Sequence, residues 1–233
     1  MSLTGRRFTV TDAIGIAAFL AMLIALYLAI VESPIERVQG IHQKIFYIHV
    51  PTALVGYIAF GVVAFASIMY VWKRTDRWDR VAVASAELGV LFTTLMLATG
   101  SIWGRPVWGA WWDWTDARLV TSLVMWLVYV AYLMFRSLGE SGPGTYRSAA
   151  VIGILGFVSV PLSYFSIWLW TNILHPVPTL QSSTDRPEGS ILVPFLFGML
   201  AFTLLYVYLM SFRMRVEESQ RELNELRAAQ EAS

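Results

Sequence analysis

The chain has 233 residues, 57% of them hydrophobic and only 14% charged, with a mean hydropathy of +0.59 and a formal net charge of +1. Soluble domains carry about 25% charged residues, so this composition belongs to the bilayer, and a charge balance near zero offers nothing to a nucleic acid. Cysteine is absent, which excludes disulfides, thiolate metal sites and thioether chemistry on the chain itself.

A membrane helix needs about 20 mostly apolar residues. Six stretches qualify, at 13–31, 45–72, 81–103, 119–135, 148–171 and 191–212. The fold class expected is therefore all-α, one integral membrane bundle of six transmembrane helices over residues 1–233. Arg6 and Arg7 before the first run resemble a secretion signal. That run has the length of a full span, however, and more spans follow, so it reads as a retained first helix.

The second run holds His49 in IFYIHVP and exceeds what a span needs, so its first turns should emerge from the hydrocarbon with His49 near the interface. Pro51 deprives the Tyr47 carbonyl of its helical partner, and a kink there would tip His49. His42 lies seven residues earlier, about 10 Å along a helix, too far to serve the same face of one metal. The third run contains Glu87 in VAVASAELGVLF, the one acid inside a span. Intramembrane carboxylates are costly, and a polar contact with a neighbouring helix or a partner subunit is favoured over a proton relay.

Between the third and fourth runs stands WGRPVWGAWWDWTD, residues 103–116, with five of the chain's ten tryptophans. On a helix, Trp108, Trp111, Trp112 and Thr115 share one face and Trp114 flanks Trp111. Gly104 and Pro106 suit a turn entering a short interfacial helix. One reading is an aromatic belt at headgroup level. The other is a rigid shelf flanked by Arg105, Asp113, Asp116 and Arg118, suited to a flat apolar ligand bearing carboxylates. Rings would stack on the macrocycle and guanidinium would pair with carboxylate. His175, in LHPVP, starts a proline-containing loop, where Pro176 biases it toward extended backbone. The tail from Arg213, rich in Glu, Arg and helix formers, reads as a solvated helix over 213–233 extending the last span.

Twelve of the 17 lysines and arginines lie on the side of the termini, and five, Arg37, Lys44, Arg105, Arg118 and Arg186, on the other. Positive charge concentrates in the cytoplasm, so both termini are expected there. The tryptophan segment and all three histidines then face outward. A histidine on a helix end and one on a loop, beside an aromatic shelf, suit an iron porphyrin held from opposite faces. Each histidine alone also reads as an ordinary interfacial polar residue. Catalytic zinc wants three protein ligands, and no HExxH motif or close histidine pair is present.

WGRPVWGAWWDWTDARL, with YIHVP before it and LHPVP after it, closely resembles the WWD-domain haem-handling membrane proteins. Six spans in this length resemble the CcmC family of system I cytochrome c maturation, and the resemblance covers most of the chain. It implies an outward haem platform over 103–118, comprising Trp103, Trp108, Trp111, Trp112 and Trp114, with Arg105 nearby. It further implies that His49 and His175 are the axial ligands of the iron, and that Arg118 supports the segment or pairs with a propionate. The cargo would be non-covalent haem b, passed at the periplasmic face of the bacterial inner membrane to a membrane-anchored haem chaperone (CcmE). An ABC-type ATPase and permease pair (CcmA and CcmB) and a small single-span subunit (CcmD) would assist. The protein would then be a haem-binding and transfer component rather than an enzyme, lending at most lyase-like assistance to haem attachment on the chaperone. The family pattern reads WWxWD, whereas Thr115 here separates Trp114 from Asp116. Arg118 keeps its spacing from Asp116, which favours Asp116 over Asp113 as the family aspartate. A membrane enzyme or subunit binding quinone or lipid on the same aromatic shelf without iron, and a purely structural subunit using the tryptophans as a belt, remain as alternatives.

Overall fold

A computed structural model describes residues 8–140, 142–170 and 189–231. The helices are α1 (Val10–Tyr27), α2 (Phe46–Lys73), α3 (Asp76–Trp108), α4 (Ala117–Leu138), α5 (Pro143–Gly156), α6 (Ser159–Leu169) and α7 (Gly189–Glu231). A π turn at Leu28–Glu32 prolongs α1, and a 3-10 turn at Ile41–Ile45 leads into α2. Six helical segments, with α5 and α6 counted together, are long and apolar enough to cross a membrane. The chain is thus an all-α, multi-pass membrane protein.

α2 and α3 pack most extensively and form the centre of the bundle. Lipid is as apolar as leucine, so helices associate through close packing and hydrogen bonds rather than through burial from water. The core accordingly alternates small and aromatic residues. Ala59, Ala66 and Ala86 are fully buried, and the Phe60 ring lies flat on Tyr129 with centroids 3.6 Å apart. Hydroxyls supply the polar contacts: Ser85 of α3 donates to the Ala59 carbonyl of α2 at 2.8 Å and lies 2.8 Å from the Tyr206 hydroxyl of α7.

Two proline effects differ. Pro51 stands inside α2 without ending the helix. The Tyr47 carbonyl, which loses its partner to Pro51, faces Gly198 of α7, where a Cβ would come within 3.0 Å of the oxygen. Pro161, by contrast, accompanies a break. The fifth expected span is two helices joined at Phe157–Val158, because the proline ring supplies no N–H to the Phe157 carbonyl. The Val160 amide takes that carbonyl instead at 3.0 Å, and the preceding turn tightens to 3-10 bonds.

Charge gathers at the end where α1 begins. Asp79 pairs with Arg136 at 2.8 Å, and Asp12 lies 4.0 Å from Arg215. Glu87 receives two hydrogen bonds from Arg213 of α7, at 2.7 and 3.1 Å. This fork-to-fork geometry gives the intramembrane acid a charged partner within the chain, on a neighbouring helix. α7 continues past the bundle as one helix through Glu231.

Candidate functional site

At the opposite end the first turns of α2, the last turns of α3 and the first two turns of α4 enclose a narrow cleft. α2 contributes His49, Ala53 and Tyr57, and α3 contributes Met96, Leu97, Gly100, Trp103 and Trp108. Trp112 follows from the connecting segment, and Arg118, Leu119 and Ser122 come from α4. The open space within it is about 40 Å³.

His49 is seated on one turn of α3. Its Nδ1 lies 3.1 Å from Thr99 Oγ1, and its ring meets the Trp103 edge with centroids 5.7 Å apart. A Cβ at Gly100 would stand 2.9 Å from His49 Cε1, so only glycine lets the ring lie against the helix. Trp103 is itself held from the other side, where its indole N–H donates to Gln39 Oε1 at 3.0 Å. Further down, the Tyr57 and Ser122 hydroxyls converge on Ser163 of α6, at 3.3 and 2.9 Å. The broken span thereby reaches the floor of the cleft.

The tryptophan segment departs from the expected interfacial helix. Its first half continues α3 through Gly104 and Pro106 as far as Trp108. The Trp108 ring folds over Gly104, where a Cβ would be 3.0 Å from the indole. Gly109, at φ +79°, then ends the helix, its N–H on the Arg105 carbonyl at 3.1 Å. This left-handed C-terminal stop is one that glycine adopts without strain. Residues 110–116 are not helical. Asp113 binds the backbone N–H and hydroxyl of Thr115 at 2.8 and 2.7 Å, a local turn that competes with helix formation. Trp108, Trp111, Trp112 and Thr115 therefore do not form one helical face.

Asp116 is 3% exposed and caps α4, accepting the Arg118 and Leu119 amides at 2.9 and 3.0 Å. Its carboxylate thus fixes the turn that carries Arg118. Asp116→Ala should lower stability by about 1 kcal/mol, an unfolding midpoint about 2–4 °C lower. Asp116→Asn, which keeps an oxygen acceptor, should recover most of it. Equal losses in both variants, measured by thermal unfolding in detergent, would contradict the capping role.

Of the residues singled out in the sequence, the fold brings His49, Trp103, Trp108, Trp112 and Arg118 to one cleft. Trp111 and Trp114 are 59% and 72% exposed and stand outside its lining, although Trp114 packs edge-on against Trp112 at 5.6 Å. Arg105 turns its guanidinium onto the Gly109 carbonyl, and His42 is exposed on the 3-10 turn. His175 lies outside the described residues. Thr99, Gly100, Tyr57 and Ser122 belong to the site without having been singled out in the sequence. Of these four only Gly100 carries a usable signal, a glycine one turn before Trp103 on the same helix.

The sequence pattern of the CcmC family, described as Heme exporter protein C, matches residues 3–229. The chain belongs to the CcmC family. Among relatives in that family, Heme exporter protein C of Bradyrhizobium diazoefficiens is 35% identical over 198 residues, covering 85% of this chain and 75% of the relative. The protein of the same name from Escherichia coli K12 is 34% identical over 188 residues, covering 78% and 73%. That of Haemophilus influenzae is 32% identical over 188 residues, covering 79% and 75%.

Proposed function

We propose that this CcmC-family chain binds haem across the mouth of the cleft and passes it on for cytochrome c biogenesis. The observation that carries the reading is the convergence of an imidazole, three indoles and a guanidinium on one cleft at a helix-bundle end: His49, Trp103, Trp108, Trp112 and Arg118. Imidazole is an axial ligand for haem iron, indole faces suit a planar macrocycle, and guanidinium suits a carboxylate. The buried Trp112 Nε1 has no hydrogen-bond partner among the described residues, which supports a role as a second donor to a propionate beside Arg118. Haem is cargo here, and the chain's own residues orient it and leave one side open to a receiving protein.

In this reading His175 supplies the second axial ligand, the cleft faces the periplasm across a bacterial inner membrane, and both termini are cytoplasmic. The receiver is a membrane-anchored haem chaperone (CcmE), and CcmA, CcmB and CcmD are the assisting subunits. In this reading the bonds this chain makes and releases are the iron–histidine coordination bonds. The test is the visible spectrum of the detergent-purified protein supplied with haem, oxidised and reduced, beside His175→Ala. A sharp low-spin Soret and α/β pattern that weakens in the variant supports two-histidine ligation. Absence of any Soret band overturns the haem reading and returns the cleft to an apolar ligand without iron, a quinone or a lipid.

A further inference from the structure

We propose that Gln39 is a positioning residue that holds the Trp103 indole as one wall of the cleft and braces the entry to α2 against the last turns of α3. An indole has a single N–H to give and no acceptor. Trp103 gives it to Gln39 Oε1 at 3.0 Å, across 64 positions of sequence. Gln39 stands just ahead of the 3-10 turn that leads into α2, whereas Trp103 is on α3. One hydrogen bond therefore ties together the two helices that carry His49 and the cleft tryptophans.

The turn that presents Gln39 is built for one geometry. The Glu36 carboxylate, through Oε2, accepts the Val38 and Gln39 amides at 2.8 and 2.6 Å. The Glu36 carbonyl accepts the Gly40 amide at 3.0 Å. Gly40, at φ +62°, then turns the chain into the 3-10 turn through a conformation that favours glycine. The backbone on both sides of Gln39 is thus fixed before its side chain reaches Trp103. The indole also meets the His49 ring edge-on at 5.7 Å and the Phe46 ring at 6.5 Å. Ring contacts of this kind tolerate a range of tilts, whereas the directional N–H bond selects one orientation. Without it the indole has more orientations to sample, and a site competent for only part of the time binds more weakly by that fraction. The hold of Gln39 on Trp103 stands on geometry alone, whereas its consequence for haem rests on the function proposed above.

The experiment uses the full-length protein in detergent, labelled with 15N-tryptophan, with Trp103→Phe assigning the Trp103 indole signal. Read without haem, that signal should move upfield and its N–H should exchange faster with solvent in Gln39→Leu, which keeps the bulk and loses the acceptor. Gln39→Glu, which keeps an acceptor oxygen, should retain the hydrogen-bonded signal. On haem titration Gln39→Leu should bind about 2- to 12-fold more weakly, the equivalent of one neutral hydrogen bond. On a Trp103→Phe background Gln39→Leu should weaken binding no further, because that ring has no N–H to place. An unmoved indole signal in Gln39→Leu overturns the proposal. So does a moved signal with unchanged haem affinity, or a loss that is as large on the Trp103→Phe background. Wild-type protein that binds no haem would remove the proposed function instead, and the haem-free indole spectrum distinguishes that outcome from a failure of Gln39.

Discussion

Replacing His49 with alanine should abolish the low-spin haem spectrum of the purified protein and weaken haem binding by more than the roughly 10- to 100-fold that losing an outer-shell partner costs. The substitution removes the imidazole and leaves Thr99 Oγ1, 3.1 Å from His49 Nδ1 in the intact protein, to be satisfied by water. The fold should survive, because His49 is only half-buried and its seat is confined to one turn of α3. Free imidazole added to the variant should restore part of the low-spin spectrum by occupying the vacated space. His42→Ala is the matched control. His42 is exposed on the 3-10 turn outside the cleft lining, so its loss should leave the spectrum unchanged. An unaltered spectrum in His49→Ala would end the axial-ligand assignment.

Gly100→Ala should be almost as damaging although it adds a single methyl group. That methyl would stand 2.9 Å from His49 Cε1, nearer than carbon atoms pack. Overpacking of this kind costs about 1–3 kcal/mol. Of the two partners the imidazole is the one that can move, so the cost falls on ring position. Alanine also favours the helix over glycine by up to about 1 kcal/mol, which keeps α3 intact. The expected result is a thermal midpoint close to wild type together with haem binding weakened by about 5- to 150-fold, as about 1.4 kcal/mol is a factor of ten. Titration with haem beside thermal unfolding separates the two quantities. Unchanged haem affinity would show that the ring's seat on α3 does not matter.

Much of this architecture was legible in the sequence because it is written in runs. Apolar stretches of span length marked the six membrane-crossing segments, and the clustered tryptophans with His49 and Arg118 pointed to one end of the bundle. What stayed hidden depends on pairs distant in sequence. Thr99 is an inconspicuous hydroxyl in an apolar helix until α2 brings His49 to it, 50 positions away. The Glu87–Arg213 pair spans 126 positions. Other features were local and could have been read. Gly109 is a helix-stop residue, Asp116 stands at the start of an apolar run as an N-cap does, and Pro161 marks the break between α5 and α6. The helical wheel drawn through 103–116 failed because Asp113 and Gly109 act on the backbone more strongly than the tryptophan spacing does.

The length of α3 ties the site to the membrane around it. At 33 residues the helix is about 50 Å long, against roughly 30 Å of hydrocarbon. With the apolar run 81–103 in the hydrocarbon, the surplus falls at both ends of the helix, and at the cleft end it carries Trp108. A thicker bilayer meets such a surplus by drawing it in, and a thinner one by tilting or exposing it. Acyl-chain length should then set how far the mouth of the cleft stands above the lipid.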